Sequence, residues 1–459
     1  MRQGCGNVWY DTPRVIMEEN LLTTGDYRKK ILGFMWPILV GQFFQQMYNT
    51  ADALIVGNFL NAESLAAVTS TSSLVFLIIG FCLGFSSGAG VIVSRHIGAR
   101  DDEQTGKAVH TAVLLGLVIG ILTTILGVFF ADDLLRLMGT PANIIERAAL
   151  YLRIYFGGSI SVVMYNMLVG IVQASGDSKH PLYYLVISSI LNIILDIVFI
   201  SVFHMDVDGA AFATIIAQTF SVLLVLRQLL NAKDATRVIP SKLRFDRENL
   251  RGILRYGFPT AMQDSVIDLS NVLIQSYINS FGSAAVAGIG ASTRAEGFGF
   301  LLITAFSIAV TTFVSQNIGA GEYERAKKGI RFTLITSILM IEAVGLIMYC
   351  FAPYIISAFS TSPDVIAFGT GRMRVCSLFY CMVGFSHISS AVMRGAGRPN
   401  VPLIVMLGCW CVVRVVILMT IGQTVHDIRL VYWIYPFTWV LSSIVYIFFL
   451  RSTKIGPQE

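Results

Sequence analysis

The heptapeptide V-S-R-H-I-G-A at 93–99 returns as V-S-Q-N-I-G-A at 314–320, an offset of 221 residues. Lys107 then matches Lys328, and G-D-S-K-H-P-L at 176–182 returns as G-R-P-N-V-P-L at 397–403, again at 221. Near the start of each half W-P at 36–37 matches F-P at 258–259 at 222, so one residue is gained or lost between the anchors. A period this long, met twice in 459 residues, reads as one structural unit used twice.

Apolar runs long enough to cross a bilayer recur through both units. They fall at about 31–57, 64–90, 107–130, 149–172, 181–203 and 209–230, then 253–280, 285–313, 330–352, 372–393, 401–422 and 431–450. The runs are long and do not alternate, which argues against a strand barrel. Six spans per repeat give both halves the same orientation. The expected fold is therefore an all-α integral membrane protein of twelve transmembrane helices, built as two six-helix lobes related by a parallel repeat. That architecture belongs to transporters, with the cavity between the halves near mid-membrane. The expected divisions are an N-terminal tail (1–30), an N-lobe (31–230), a linker (231–252), a C-lobe (253–450) and a C-terminal tail (451–459).

Composition agrees. Apolar residues make up 55% of the chain and charged residues 13%, against about 25% charged in a soluble domain. Several soluble surfaces cannot be covered with so few charges, and disorder is excluded by the same numbers. A net charge of +5 gives no support to nucleic-acid binding. No phosphate loop, nucleotide motif or metal spacing occurs, so no cofactor is expected and energy must come from an ion gradient. The seven cysteines show no CxxC pair and read as free thiols. Residues 1–30 carry Asp11, Glu18, Glu19 and Asp26 and lack the apolar core of a signal peptide; residues 1–16 receive no function.

With an even number of spans both termini share a side. Of 33 Lys and Arg, 25 fall on that side and seven, Arg372 among them, toward the other, with Arg414 inside a span. This bias expects cytoplasmic termini and a plasma-membrane location.

Ionisable residues inside spans are costly and point to cavities or partners. In the N-terminal half they are Asp52 in the first span and Asp196 in the fifth. Asn192 lies one turn before Asp196 on the same face, Asn166 lies in the fourth span, and Thr214 opens the sixth. Carboxylate, amide and hydroxyl oxygens are the ligands that a hard cation prefers. Packing between helices is the alternative for Asn166 and Thr214. Pro37, about fifteen residues before Asp52, permits a kink, although proline near a helix start is ordinary. The second half differs: the offset places Val413 and Ile417 where Asn192 and Asp196 stand, and it carries Asp264, Asp268, Arg294, Glu296, Glu342 and Arg414 instead. Arg414 is expected to pair with Asp264, Asp268 or Glu296, either as a structural ion pair or as part of a substrate or second coupling network. Loop positions for His96, His110, His180, His204 and His426 predict solvated imidazoles, and His387 lies within a span.

P-I-L-V-G-Q-F-F-Q-Q-M-Y-N-T-A-D at 37–52, the V-S-x-x-I-G-A pair, V-Q-A-S-G-D-S-K-H-P at 172–181 and V-M-R-G-A-G-R-P-N-V-P at 392–402 carry a specific resemblance. Over residues 25–450 the chain resembles the multidrug and toxic compound extrusion (MATE) family, closer to its DinF-type branch. The resemblance implies export of small organic, often cationic or amphipathic, compounds in exchange for Na+ or H+. It implies a cation or proton site at Asp52, Asn192, Asp196 and Thr214, with Tyr48 lining it, and a bend of the first helix at Pro37 linked to protonation. Na+ is the metal that this oxygen set would hold. Nothing demands more than a monomer, and beyond membrane lipid no macromolecular partner is implied. A lipid-linked saccharide flippase of the same superfamily is the rival reading, disfavoured by the acidic N-lobe site; a channel or receptor is the rival from another class.

Overall fold

A computed structural model describes residues 21–59, 62–138, 140–141, 143–453 and 456; the expected tail over 1–16 lies outside these. Twelve helical spans follow one another. In the first half they are α1 (Tyr27–Phe59), α2 (Ala62–Gly98), α3 (Asp102–Phe129), α4 (Ile145–Gly157 and Ser159–Ala174), α5 (Lys179–Val202) and α6 (Val207–Leu230). The second half repeats them as α7 (Arg247–Asn279), α8 (Ser283–Gly319), α9 (Tyr323–Ser357), α10 (Pro363–Ser377 and Tyr380–Gly395), α11 (Asn400–Thr424) and α12 (Arg429–Ser452). Seven of these satisfy length and apolarity for a membrane span singly, and α4 and α10 do so as pairs bent by 46° and 57°. The bend recurs at the same place in each repeat. At the break in α10 the Glu342 carboxylate accepts from the Cys381 N–H at 2.7 Å, capping the second segment. α1 and α7 are diluted by polar stretches, Q-F-F-Q-Q-M-Y-N-T-A-D and M-Q-D-S-V-I-D, that carry the acidic residues of interest.

The two motifs that define the repeat meet each other. Where the ends of α2 and α8 cross, a Cβ on Gly98 would lie 2.0 Å from the Gln316 carbonyl oxygen, and one on Gly319 would lie 2.1 Å from that of Arg95. Glycine is required at both positions because backbone touches backbone. The surrounding hydrogen bonds obey the same offset. Ser94 Oγ donates to the Ala174 carbonyl and Ser315 Oγ to that of Gly395, both at 3.4 Å. The longer side chains reach across to the opposite lobe: Gln316 donates to the Ala174 carbonyl at 2.7 Å, and Arg95 to that of Gly395 at 3.3 Å. Turns after α2 and α4 use positive φ at Arg100 (56°) and Gly176 (89°), and their counterparts use it at Gly321 (74°) and Gly397 (92°). The face bearing both termini is thus shut by a pseudo-symmetric clasp.

The first helix of each repeat serves both lobes. Ile31, Phe34, Met35 and Ile38 of α1 pack into a cluster with Phe306, Val310 and Phe313 of α8. From Gly41 onward α1 lies against Leu182 and Leu185 of α5. Pro37 therefore sits where α1 passes from one lobe to the other, and the helix runs unbroken through it. α7 mirrors this: Ile253 and Ala261 join the N-lobe core, and Ile274 and Ile278 join a C-lobe cluster with Val431 and Tyr432.

Two connections behave differently from solvated loops. His110 is buried; its Nδ1 lies 2.5 Å from the Gly106 carbonyl, and its Nε2 accepts from the Ile239 N–H at 3.0 Å. His96 Nε2 bonds Asn249 Oδ1 at 2.9 Å. Both histidines, expected to be solvated, instead fasten the linker and α7 to the N-lobe. At the N-terminal strap, Arg325 donates to the carbonyls of Leu22, Thr24 and Gly25, and the Leu22 N–H donates to Gln316. Six cysteines among the described residues are free thiols.

Candidate functional site in the N-lobe and its counterpart in the C-lobe

Asp52 comes from the second half of α1 and Asp196 from near the end of α5, two helices that pack along their length. Their carboxylates interact electrostatically with one another. Asp196 is fully buried and Asn192, one turn earlier, is 1% exposed. Asp52 Oδ1, both Asp196 oxygens and both polar atoms of the Asn192 amide have no hydrogen-bond partner among the described residues. Burying polar atoms without partners is expensive, and two adjacent carboxylates repel each other. Chemically, such oxygens can accept a proton or a metal cation. α5 changes to a π-helical turn over Val198–Val202 immediately after Asp196, a local widening frequent at functional sites.

Tyr48 stands one turn before Asp52 and interacts electrostatically with Asp52, Asp196 and Tyr155. Tyr151 and Tyr155, stacked with centroids 6.1 Å apart, complete an aromatic wall that sequence reading missed. Their signal was a Tyr-x-x-x-Tyr spacing in α4, which alone is indistinguishable from core. Thr214 is buried on α6, which packs against α5 and touches α1. Asn166 turns to its own helix, donating to the Val162 carbonyl at 2.8 Å, while Ser86 donates to its carbonyl at 2.6 Å. No cluster of three His, Cys, Asp or Glu occurs among the described residues; the oxygens gathered here are two carboxylates and neutral groups.

The C-lobe corrects two expectations. Arg372, counted toward the outer side, is 2% exposed inside α10, and it is the partner of Glu296. The pair is bidentate, Nη1 to Oε1 at 2.8 Å and Nη2 to Oε2 at 3.0 Å, with Nη1 also donating to Ser292 at 2.9 Å. Arg414, expected to pair with an acid, instead donates from Nε to Thr438 Oγ1 at 3.1 Å. Its guanidinium lies 5.0 Å from the Trp410 ring and 4.6 Å from that of Tyr435. Arg294 is exposed and does not join Glu296. Asp264 interacts with the buried Arg394, and the side chain of Asp268 lies outside the described residues. His387 packs edge-on against Phe300 and Trp410 at 5.9 and 5.3 Å.

A family model, MatE, matches residues 37–198 and again 259–420, once per lobe. The chain belongs to the MatE family. It is 32% identical over 394 residues to Probable multidrug resistance protein YpnP of Bacillus subtilis (strain 168), covering 85% of this chain and 88% of that one. It is 29% identical to Probable multidrug resistance protein YoeA of the same organism, covering 82% of each. Among solved structures, an outward-facing multidrug resistance MATE family transporter superposes with a TM-score of 0.87 at 26% identity, covering 94% of this chain and 96% of that one. The expected fold is thereby borne out: a multi-pass membrane transporter of twelve helices in two repeated lobes.

Proposed function

We propose that this protein is a cation-coupled antiporter that exports small organic, often cationic or amphipathic, compounds by alternating access. The observation that carries the proposal is the buried pair Asp52–Asp196, of which Asp52 Oδ1 and both Asp196 oxygens have no hydrogen-bond donor among the described residues. Na+ or H+ entering from outside neutralises part of its charge of about −2. If the ion is Na+, Asp52, Asp196, Asn192 and Thr214 would hold it as hard oxygen ligands. Neutralisation removes the repulsion between α1 and α5 and changes how the second half of α1 packs. Pro37, at the point where α1 passes between lobes, lets that half move separately from the half packed on α8. The compound leaves outward, the clasp at Gly98 and Gly319 opens, and the cation is released inward. This reading places the protein in the plasma membrane with cytoplasmic termini, working as a monomer, and puts it on the DinF-type side of its family.

The test is transport in proteoliposomes. Ethidium efflux driven by an imposed gradient should disappear in Asp196→Asn and Asp52→Asn, with both variants folded. Replacing Na+ by choline at fixed pH separates the two ions: loss of transport identifies Na+, and persistence identifies H+. Undiminished gradient-driven efflux in both variants would refute the site.

A further inference from the structure

We infer that the C-lobe holds a binding site for a small anionic group at Arg414 and Arg372, the repeat counterpart of the acidic N-lobe site with its charge reversed. The inference goes beyond the cation coupling proposed above and does not depend on it.

Around Tyr435 the structure gathers two guanidinium groups, Arg372 at 4.9 Å and Arg414 at 4.6 Å from the ring centroid, one on α10 and one on α11. One carboxylate, Glu296, is present, and both of its oxygens are taken by Arg372. The cluster therefore carries one uncompensated positive charge. Arg414 is 1% exposed, so water does not screen it. Aromatic faces and one threonine hydroxyl moderate a buried guanidinium, but neither is a counter-charge.

Arg414 Nη2 and Arg372 Nε are buried and donate to nothing among the described residues. Each is a charged N–H, the donor type that oxyanions and halides accept most strongly. Both lie beside the same ring, Tyr435, and both await an acceptor.

The 221 offset, fixed by the paired Ser94 and Ser315 hydrogen bonds, puts Arg414 at the position of Ile193, beside Asn192. It puts Arg372 at the position of Tyr151, which walls the acidic pair. Tyr435 falls within a residue of the counterpart of Thr214. The arginines thus stand beside the counterparts of the N-lobe site, with Ile417 in the place of Asp196 itself. With so little exposure at Arg414 the site takes a compact group: free chloride or phosphate, or the carboxylate of a larger compound.

Trp410 touches Arg414 and Trp439 lies nearby on α12, so tryptophan fluorescence reports on the site. The full-length protein in nanodiscs is titrated at constant ionic strength with chloride, inorganic phosphate or benzoate, against gluconate. A saturable change is expected with at least one of the three. Response to chloride or phosphate identifies a free anion, and response to benzoate alone identifies a substrate carboxylate. Arg414→Gln should abolish the response, and Asp196→Asn should keep it. Arg414→Lys retains the charge but loses the second N–H, and should weaken binding about tenfold, which serves if Arg414→Gln fails to fold. A flat response to all three anions in the folded protein, or an equal response in Arg414→Lys and Arg414→Gln, would overturn the inference.

Discussion

Replacing Gly98 and Gly319 by alanine should pry open the face that carries the termini. Each new methyl would stand 2.0–2.1 Å from a carbonyl oxygen of the opposing helix. A carbon normally approaches such an oxygen no closer than about 3.3 Å, so α2 and α8 must separate by roughly 1.2 Å at the crossing. Neither obstacle is a side chain that can turn aside; both are backbone. Overpacking of this kind costs about 1–3 kcal/mol, which shifts a two-state equilibrium about 5–150-fold. The cost falls on the conformation with this face closed and not on one in which the helices have parted. Spin labels at the exposed positions Asp102 and Glu324, one per lobe, in a background without native cysteines, read the population directly. Double electron–electron resonance should show the short-distance population fall and a longer one grow, with Gly98→Ala/Gly319→Ala exceeding either single variant. An unchanged distance distribution in a folded double variant would refute the clasp as the closing contact.

Other outcomes follow from single contacts. Glu296→Gln leaves Arg372 buried with no counter-charge, and should lower stability by about 3–5 kcal/mol, seen as a lower midpoint in thermal unfolding; an unchanged midpoint contradicts the pair's structural role. Asp246 caps α7 by accepting from the Asn249 N–H, and that bond holds its carboxyl below the usual range. Its contribution is present above the unfolded value near 4 and is lost as pH falls through the lower folded value. Asp246→Asn should keep the cap and remove this acid dependence, whereas Asp246→Ala should cost about 1 kcal/mol at neutral pH; thermal unfolding at pH 3–7 distinguishes them. Arg325→Ala removes the donors that hold the strap, and amide exchange over Leu22–Gly25 should accelerate while that of α9 stays slow.

The architecture was legible because the residues that repeat in sequence also make repeated bonds. Ser94 and Ser315 recur since each lobe ties its own helices the same way, and Gly98 and Gly319 since each lobe closes the same way against the other. The N-lobe site was legible for a different reason: a carboxylate is conspicuous in an apolar run, and Asp52 and Asp196 have no basic neighbour within their own spans. What sequence did not show was partnership across long separations. Arg372 sits near the start of its apolar run, where counting rules assign it to a loop, and Glu296 lies 76 residues away. Arg414 defied expectation because a guanidinium can rest on aromatic faces, and no pattern in Trp410 or Tyr435 announces that. His110 was misjudged since one imidazole can satisfy two backbone groups at once, something its place near a helix start conceals.

Cation coupling rests on the two N-lobe carboxylates. Efflux of ethidium from proteoliposomes of Asp196→Asn, measured with and without an imposed cation gradient, addresses them directly. With the carboxylate gone, the gradient should no longer drive efflux although the variant is folded. Gradient-driven efflux at the native rate would contradict that.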